Sequence, residues 1–554
     1  MEKRVILFLV LSLGIILGYD YLLRQLGLTP PAETPVASKP AERGEREPAP
    51  PPRTAPTAAQ PVTPKSAAPT PSATHPTAGT VEEQTEIVET PLYRAAFNAR
   101  GAGIASWTLT RYMTGGKERS EPIQLVHHEG KWRPPLSLSS SDAAAAAALN
   151  SAVYRVDRDF DHLDADHPTG HLSFTADAAG GHVVKQLTFH HDSYLVDVSV
   201  TAERISAPLD IALGTNFGIV EWTEGFIGLI GPAVKTGDKI DKTLPEIEED
   251  HKTPVGWVAL QEKYFLSVLI PETPAGAVVK KEGDKLASAA LRVASGQSGP
   301  IAMRLYAGPK EYDTLKALNV GLEDTIDFGW FIYGSWDIVR AVAKPLFSVL
   351  RFLYAYTHNY GVAIILLTVG IKLLFVPLQY KSYKSMKQMQ VIQPKVVALQ
   401  AKYKDDRERL NRELIKLYRD HKVNPVGGCL PMLLQTPVFV ALFNILYMTI
   451  DLRQAPFVLW IHDLSAQDPY YVLPILMGAS MVLQQKIMPT TMDPTQAKIM
   501  LLLPAFLTLL FLTFPAGLVL YWLTNNVLTI AQQFITDRYI FNKPTLTSSE
   551  VASA

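Results

Sequence analysis

Three regimes of hydrophobic patterning divide the chain. The first is an apolar run from Val5 to Gly18, preceded by Lys3 and Arg4 and extended by an amphipathic flank to Leu23. With that flank it is just long enough to span a bilayer. No small-residue cleavage site follows it, so residues 1–23 read as an uncleaved anchor, with a cleaved signal as the alternative. The second regime covers residues 85–325, where apolar and polar positions alternate with period two. Residues 182–189 (HVVKQLTF) and 194–200 (YLVDVSV) are examples, bounded by turn signals at 179–181 and 191–193. That pattern predicts antiparallel strands, and the length suits a β-sandwich. The alanines at 143–148 predict a short helix or surface loop. Residues 327–356 combine aromatics with Arg340, Lys344 and Arg351. They predict an amphipathic helix on the outer membrane–water interface, within a connecting region at 326–358.

The third regime is strongly apolar. Candidate spans fall at residues 360–378, 426–450, 470–485, 498–514 and 517–536, the third and fourth short of the usual ~20 residues. Phe514-Pro515-Ala516-Gly517 breaks the last apolar stretch into a hairpin. The class implied is a multi-domain membrane protein: an α-helical five-span core (359–538), an N-terminal anchor helix, and an outer all-β sandwich domain.

Charge orients this arrangement. Residues 379–424 are crowded with lysine and arginine, among them Lys384, Lys387, Arg407 and Arg412, whereas residues 451–468 hold only Arg453. The positive-inside rule places the first segment in the cytoplasm and the second outside. Counting back puts residues 24–359 outside, in agreement with the anchor, and both termini in the cytoplasm. Residues 24–84 are rich in proline and nearly devoid of large apolar side chains, so they predict a disordered linker. Net charge is −1, which gives no global attraction to DNA.

Catalytic chemistry finds no foothold. The one cysteine, Cys429, excludes an intrachain disulfide and reads as a small buried hydrophobe. His127-His128 and His190-His191 are adjacent pairs, not the spacing of a helical zinc site. No H-E-x-x-H, G-x-S-x-G or P-loop occurs. The expectation is a protein without enzymatic activity, metal or cofactor.

Attention therefore turns to polar groups at membrane depth. Lys372 lies in an otherwise uncharged run, where a cation costs roughly 2.5–3.5 kcal/mol on insertion scales. Thr368 precedes it by one turn and Gln379 follows by two. A functional cation and a lysine snorkelling to the cytoplasmic surface both fit. Tyr521, Asn525, Thr529 and Gln532 form a polar stripe on the last span; Met477, Met481, Gln484 and Met488 form another stripe, and Gln435 and Asn444 mark a third helix. Together they could line a wet cavity, although each alone also serves helix packing. The basic segment 381–424 reads as a helical hairpin: a first arm at 382–403 bent at Pro394, then a second arm begun by a capping box of Asp405 and Glu408. Leu410, Leu414 and Leu417 share one face, and Asn424-Pro425 is the stop. Ribosomal RNA, anionic lipid or topology alone would each account for its charge.

At residues 424–431 the sequence reads NPVGGCLP, followed by Gln435, Pro437 and Phe439. Residues 452–457 (LRQAPF) and 459–471 (LWIHDLSAQDPYY), Pro489-Thr490-Thr491, and residues 514–522 (FPAGLVLYW) continue the pattern. This set resembles the YidC insertase family over about residues 360–533, and the layout of anchor, linker and outer domain resembles its Gram-negative form. The resemblance implies a bacterial inner-membrane protein with a periplasmic sandwich. It implies a five-helix core around a hydrophilic groove, open to cytoplasm and lipid, that inserts and folds nascent integral membrane proteins alone or beside the Sec translocon. Lys372 falls where the family usually carries arginine; it keeps the charge but not the planar fork. Thr368, Tyr521 and Trp522 match positions bordering the client, and Gln435 and Asn525 are expected beside them. The tail, residues 539–554, is short and nearly neutral, so any ribosome contact would pass to the hairpin. Two other readings remain at this point: a secondary transporter using Lys372, and a carbohydrate-binding scaffold in which the outer domain matters.

Overall fold

The computed structural model describes residues 85–541, except 115–119, 129–131, 206–207, 221–229, 243–245, 294–298, 330–335, 405, 422, 424–429 and 488–501. The anchor, the linker, Cys429, Asn424-Pro425, Met488 and nearly all of the tail lie outside these residues.

The alternating segment folds as three antiparallel sheets. A nine-stranded sheet carries the two strands read most clearly, Gly181–His190 and Leu195–Glu203, side by side. Their inward residues Val183, Lys185, Leu187 and Phe189 are buried and the intervening ones are not, which is the period-two pattern made physical. Ala179 and Gly180, both at positive φ, turn the chain into the first of them. A five-stranded sheet contains Leu209–Thr215, Gly276–Gly283 and Leu286–Val293, and a four-stranded sheet opens the domain with Thr85–Glu89, Tyr93–Asn98 and Gly103–Met113. The four-stranded sheet packs its aromatics onto the large one: Phe97 meets Phe174 and Phe189, and the Trp107 indole donates to the carbonyl of Ala307. The alanine run forms a helix, α1 (Ala143–Ser151), because the Asp142 carboxylate caps the amides of Ala144 and Ala145.

Lys185 is the polar exception on the inward face. It is 1% exposed, and its ammonium donates to the carbonyls of Gly101, Ala102 and Leu136 at 2.8–3.0 Å. Burial lowers its pKa to about 7, while three acceptors matching the three donors of an ammonium favour the charged form. Lys185→Met is isosteric along the stem but strands all three carbonyls. At roughly 1–3 kcal/mol for each unsatisfied group, it is expected to destabilise the sandwich by about 3 kcal/mol or more, read as a fall in the denaturation midpoint of the outer domain.

A short helix, α2 (Tyr312–Ala317), leads to α3 (Asp337–Thr357), the expected interfacial helix. Val339, Ala343, Phe347 and Leu350 bury one face of α3, whereas Ile338, Val349, Phe352 and Tyr356 present large apolar surface outward. A helix apolar on both sides, with Arg340 and Lys344 between, fits a membrane surface better than water. His358 caps it in the left-handed conformation, Asn359 caps the next helix through the amide of Val362, and Tyr354 stacks on Tyr360 at 3.8 Å across the corner.

Among the described residues the remaining α-helices are α4 (Tyr360–Lys402), α5 (Arg407–Asp420), α6 (Leu430–Met448), α7 (Val472–Ile487), α8 (Leu502–Phe511) and α9 (Ala516–Ile535). A helix lies within each of the five apolar runs. The first differs in extent: α4 runs unbroken for 43 residues through Pro377 and Pro394, so the span and the first hairpin arm are one rod of about 65 Å. Among the described residues, α4 alone is both long and apolar enough to cross a bilayer by itself; α7 and α8 are shorter apolar helices. The second arm is capped by Asp406, which accepts from the amide of Arg409, one residue beyond the expected Asp405. Pro515 caps α9, as the Phe514–Gly517 break required.

The sandwich meets the helical core through polar contacts. Arg453 and Gln454 both donate to the carbonyl of Met113, and the Lys263 ammonium lies 3.9 Å from the centre of the Tyr447 ring; Asn444 of α6 donates to the carbonyl of Phe328 in the connecting segment. Arg453, the one cation of its loop, thus has a structural task in addition to marking topology.

Candidate functional site

The site is built on α4 and α9. Leu373 and Leu374 point outward and are largely exposed, as apolar side chains facing lipid would be, while Lys372 on the opposite face is 7% exposed. Its Nζ donates to Thr529 Oγ1 of α9 at 2.7 Å, and that hydroxyl donates in turn to the carbonyl of Asn525 at 2.6 Å. The ammonium therefore turns into the helical core rather than snorkelling along α4. Among the described residues no carboxylate pairs with it. Thr368, one turn earlier, is buried and donates to the carbonyl of Ile364. Gln379 is buried two turns later, with its Oε1 unmatched among the described residues. A cation with one neutral acceptor among the described residues, flanked by buried amide and hydroxyl groups, retains donor capacity for water or an incoming anionic group.

The remaining expected groove residues divide. Asn525 is half-buried and reaches the cation only through its carbonyl and Thr529. Tyr521 is buried two turns away on α9, its ring 5.9 Å from that of Phe439 on α6. Trp522 enters an aromatic seam, 4.9 Å from Phe439 and 4.7 Å from Phe511, and is half-buried there. Gln435 is half-buried on α6, one turn before Phe439. Lys372 and Thr529 thus meet between α4 and α9, with Thr368 one turn away on α4 and Tyr521 and Trp522 about two turns away on α9.

A second polar seam escaped the sequence reading. Asn526 of α9 donates to Ser480 Oγ of α7 at 3.0 Å, Ser480 donates to the carbonyl of Met477, and Gln533 donates to that of Ile487. Met477 is fully buried, and Gly478 lets α8 approach so closely that a Cβ there would clash with the Thr508 hydroxyl. This seam is packing glue between α7, α8 and α9. Its signal was present as a repeat of seven, Asn526 to Gln533, offset by one residue from the stripe that was read.

On the hairpin, Lys384 is exposed, Arg407 opens α5, and Arg412 pairs with Glu408 one turn before it at 3.1 Å. Lys387 reaches Asp537 at 2.6 Å, just beyond the end of α9, which ties the rod to the last core helix. Lys395 approaches His421 at 2.8 Å and so joins the two arms.

A β-sandwich continued by apolar helices that enclose a cation defines a membrane protein with a large domain on one side. Residues 352–543 match the family model described as 60Kd inner membrane protein, and residues 87–349 match the YidC periplasmic domain. The chain is 39% identical to the membrane protein insertase YidC of Syntrophus aciditrophicus over 97% of its own length and all of that protein. It is 40% identical to that of Geotalea daltonii, covering 96% and 98% of the two chains. A crystal structure of an active YidC insertase with its first transmembrane domain resolved is similar at 19% identity and a TM-score of 0.35, over 82% of this chain and 92% of that one. The chain belongs to the YidC family of membrane protein insertases, as an inner membrane protein with a periplasmic domain. The transporter alternative has no support among these relatives.

Proposed function

We propose that this protein inserts and folds integral membrane proteins by drawing the polar or acidic outer segment of a client toward Lys372, while the client's apolar segment passes into lipid. The observation that carries this reading is the Lys372 ammonium, buried in the helical core with a single hydroxyl as its acceptor among the described residues. A cation so placed holds water within the apolar layer and lowers the barrier to a charged segment. It attracts acidic groups more strongly than a solvated lysine does, because the local dielectric is low. No nucleotide is needed: transfer of client apolar surface, at about 25 cal/mol per Å², supplies the driving force. The protein acts as an insertase and chaperone without a reaction of its own.

In this reading residues 359–538 are a five-span core, with both termini and the hairpin (381–424) in the cytoplasm. Tyr521, Trp522, Gln435 and Asn525 border the client. Lys384, Lys387, Arg407 and Arg412 belong to a surface that meets emerging chains, a ribosome or anionic lipid, and the Sec translocon is an optional partner.

The outer domain tests this division of labour. Deleting residues 30–320 is expected to leave insertion within about threefold of the parent, since the contact of Asn444 with Phe328 survives. Deleting 337–357 is expected to be far worse, because α3 carries the apolar face packed on the core. Complementation and vesicle insertion read both. Loss of insertion on the first deletion alone would return the function to the sandwich.

A further inference from the structure

One cluster in the outer domain belongs to neither the sandwich core nor the insertase site. The connection between the strands Arg155–Arg158 and Thr169–Ala178 brings together His162, Asp164 and His167, each offering a ligand atom within 4.8 Å of the others. His162 Nε2 is 3.3 Å from one carboxylate oxygen of Asp164, and His167 Nδ1 is 3.4 Å from the other. Ligands about 2.0–2.1 Å from a tetrahedral zinc ion lie about 3.4 Å apart, so both His–Asp separations suit a metal between them.

The loop's own contacts hold it in this shape. Leu163 is 3% exposed and pins the middle of the connection to the sandwich. Asp164 Oδ1 accepts from the amides of Asp166 and His167, and the Asp164 amide donates to the carbonyl of His167. Asp164 is thereby fixed in place, with its second carboxylate oxygen facing His162. The two imidazoles are exposed, with ring centres 5.1 Å apart and nearly perpendicular, so both can turn toward a common point. His171, the next histidine, is already engaged by Thr188.

We propose that His162, Asp164 and His167 form a binding site for a divalent late transition metal, with zinc the natural probe. Two imidazoles and one carboxylate select zinc, copper or nickel over magnesium and calcium, which prefer all-oxygen sites. Three protein ligands leave a fourth position open to water or to a donor from another molecule. An ion there would bridge both ends of the loop and stiffen the edge of the nine-stranded sheet.

The test uses the full chain, purified in detergent without a histidine tag. Zinc is titrated against a chromogenic chelator, and cobalt(II) is followed by its visible absorption. The site predicts one zinc ion bound with a micromolar dissociation constant and a cobalt spectrum of low coordination number. His162→Ala combined with His167→Ala should weaken zinc at least 30-fold and abolish the cobalt signal. Asp164→Asn should weaken zinc about tenfold, and His171→Ala should leave it unchanged. A stoichiometry below one at 100 µM zinc, or undiminished binding by the double variant, would overturn the proposal. Both changed histidines are exposed, and an unchanged circular dichroism spectrum separates loss of ligands from loss of fold.

Discussion

Lys372→Glu is expected to abolish insertion of clients with acidic outer segments, Lys372→Ala to reduce it at least tenfold, and Lys372→Arg to leave it nearly intact. Two unit charges about 5 Å apart at an effective dielectric near 20 interact by roughly 3 kcal/mol, which sets a ceiling of about two hundredfold on the alanine effect. Glutamate reverses the sign and repels the same client. Arginine keeps the charge, and its longer fork can still reach the Thr529 hydroxyl. Clients with neutral outer segments should change less than about threefold. Protease protection of the client, at matched expression of each variant, reads the series. If alanine matches the parent with acidic clients, the buried cation is a packing feature and not the means of insertion.

Deleting residues 384–419 is expected to eliminate insertion while α6 to α9 remain folded. The structure gives this deletion a definite meaning. Because α4 is continuous into the hairpin, the cut leaves the membrane-depth part of the rod and removes the basic extension. Part of the effect could arise from losing the Lys387–Asp537 pair that anchors the end of α9. Asp537→Asn separates the two causes: it breaks that pair, and as a half-exposed ion pair it should cost under about 1 kcal/mol and little activity. A hairpin deletion that inserts clients normally would leave the basic residues with topology as their sole task.

The architecture was legible wherever one periodicity dominated. Residues 182–189 and 194–200 read as neighbouring strands because one face of each is buried. The five apolar runs read as helices because charge is excluded from them. Lys372 was legible as an outlier, since a charge in an apolar run is expensive. Its partner was less so: Thr529 stood in a polar stripe with Gln532, and only the packing of α4 on α9 selects Thr529. Asn526 and Gln533 were missed because buried and exposed amides look alike one position apart on a helix. Lys185 was passed over as an ordinary polar residue in an alternating strand, although its register with Val183 and Leu187 already placed it inward. The span and the first hairpin arm were read as separate because charge begins at Lys381, whereas the backbone continues through Pro377 and Pro394 as one helix. The capping residue shifted by one, the usual ambiguity when two aspartates adjoin at a helix start. His162, Asp164 and His167 follow no helical ligand spacing, and only the folding of their loop brings them together.

The central claim is that this chain alone, by means of its buried cation, is sufficient to insert a protein into a bilayer. The most direct measurement reconstitutes the purified full-length chain as the only protein in lipid vesicles and adds a small single-span client with an acidic outer segment. The account predicts that the client's outer segment becomes protected from external protease without nucleotide, and that vesicles carrying Lys372→Glu show only the background of empty vesicles. Protection that requires an added translocon component, or equal protection with Lys372→Glu, would contradict it.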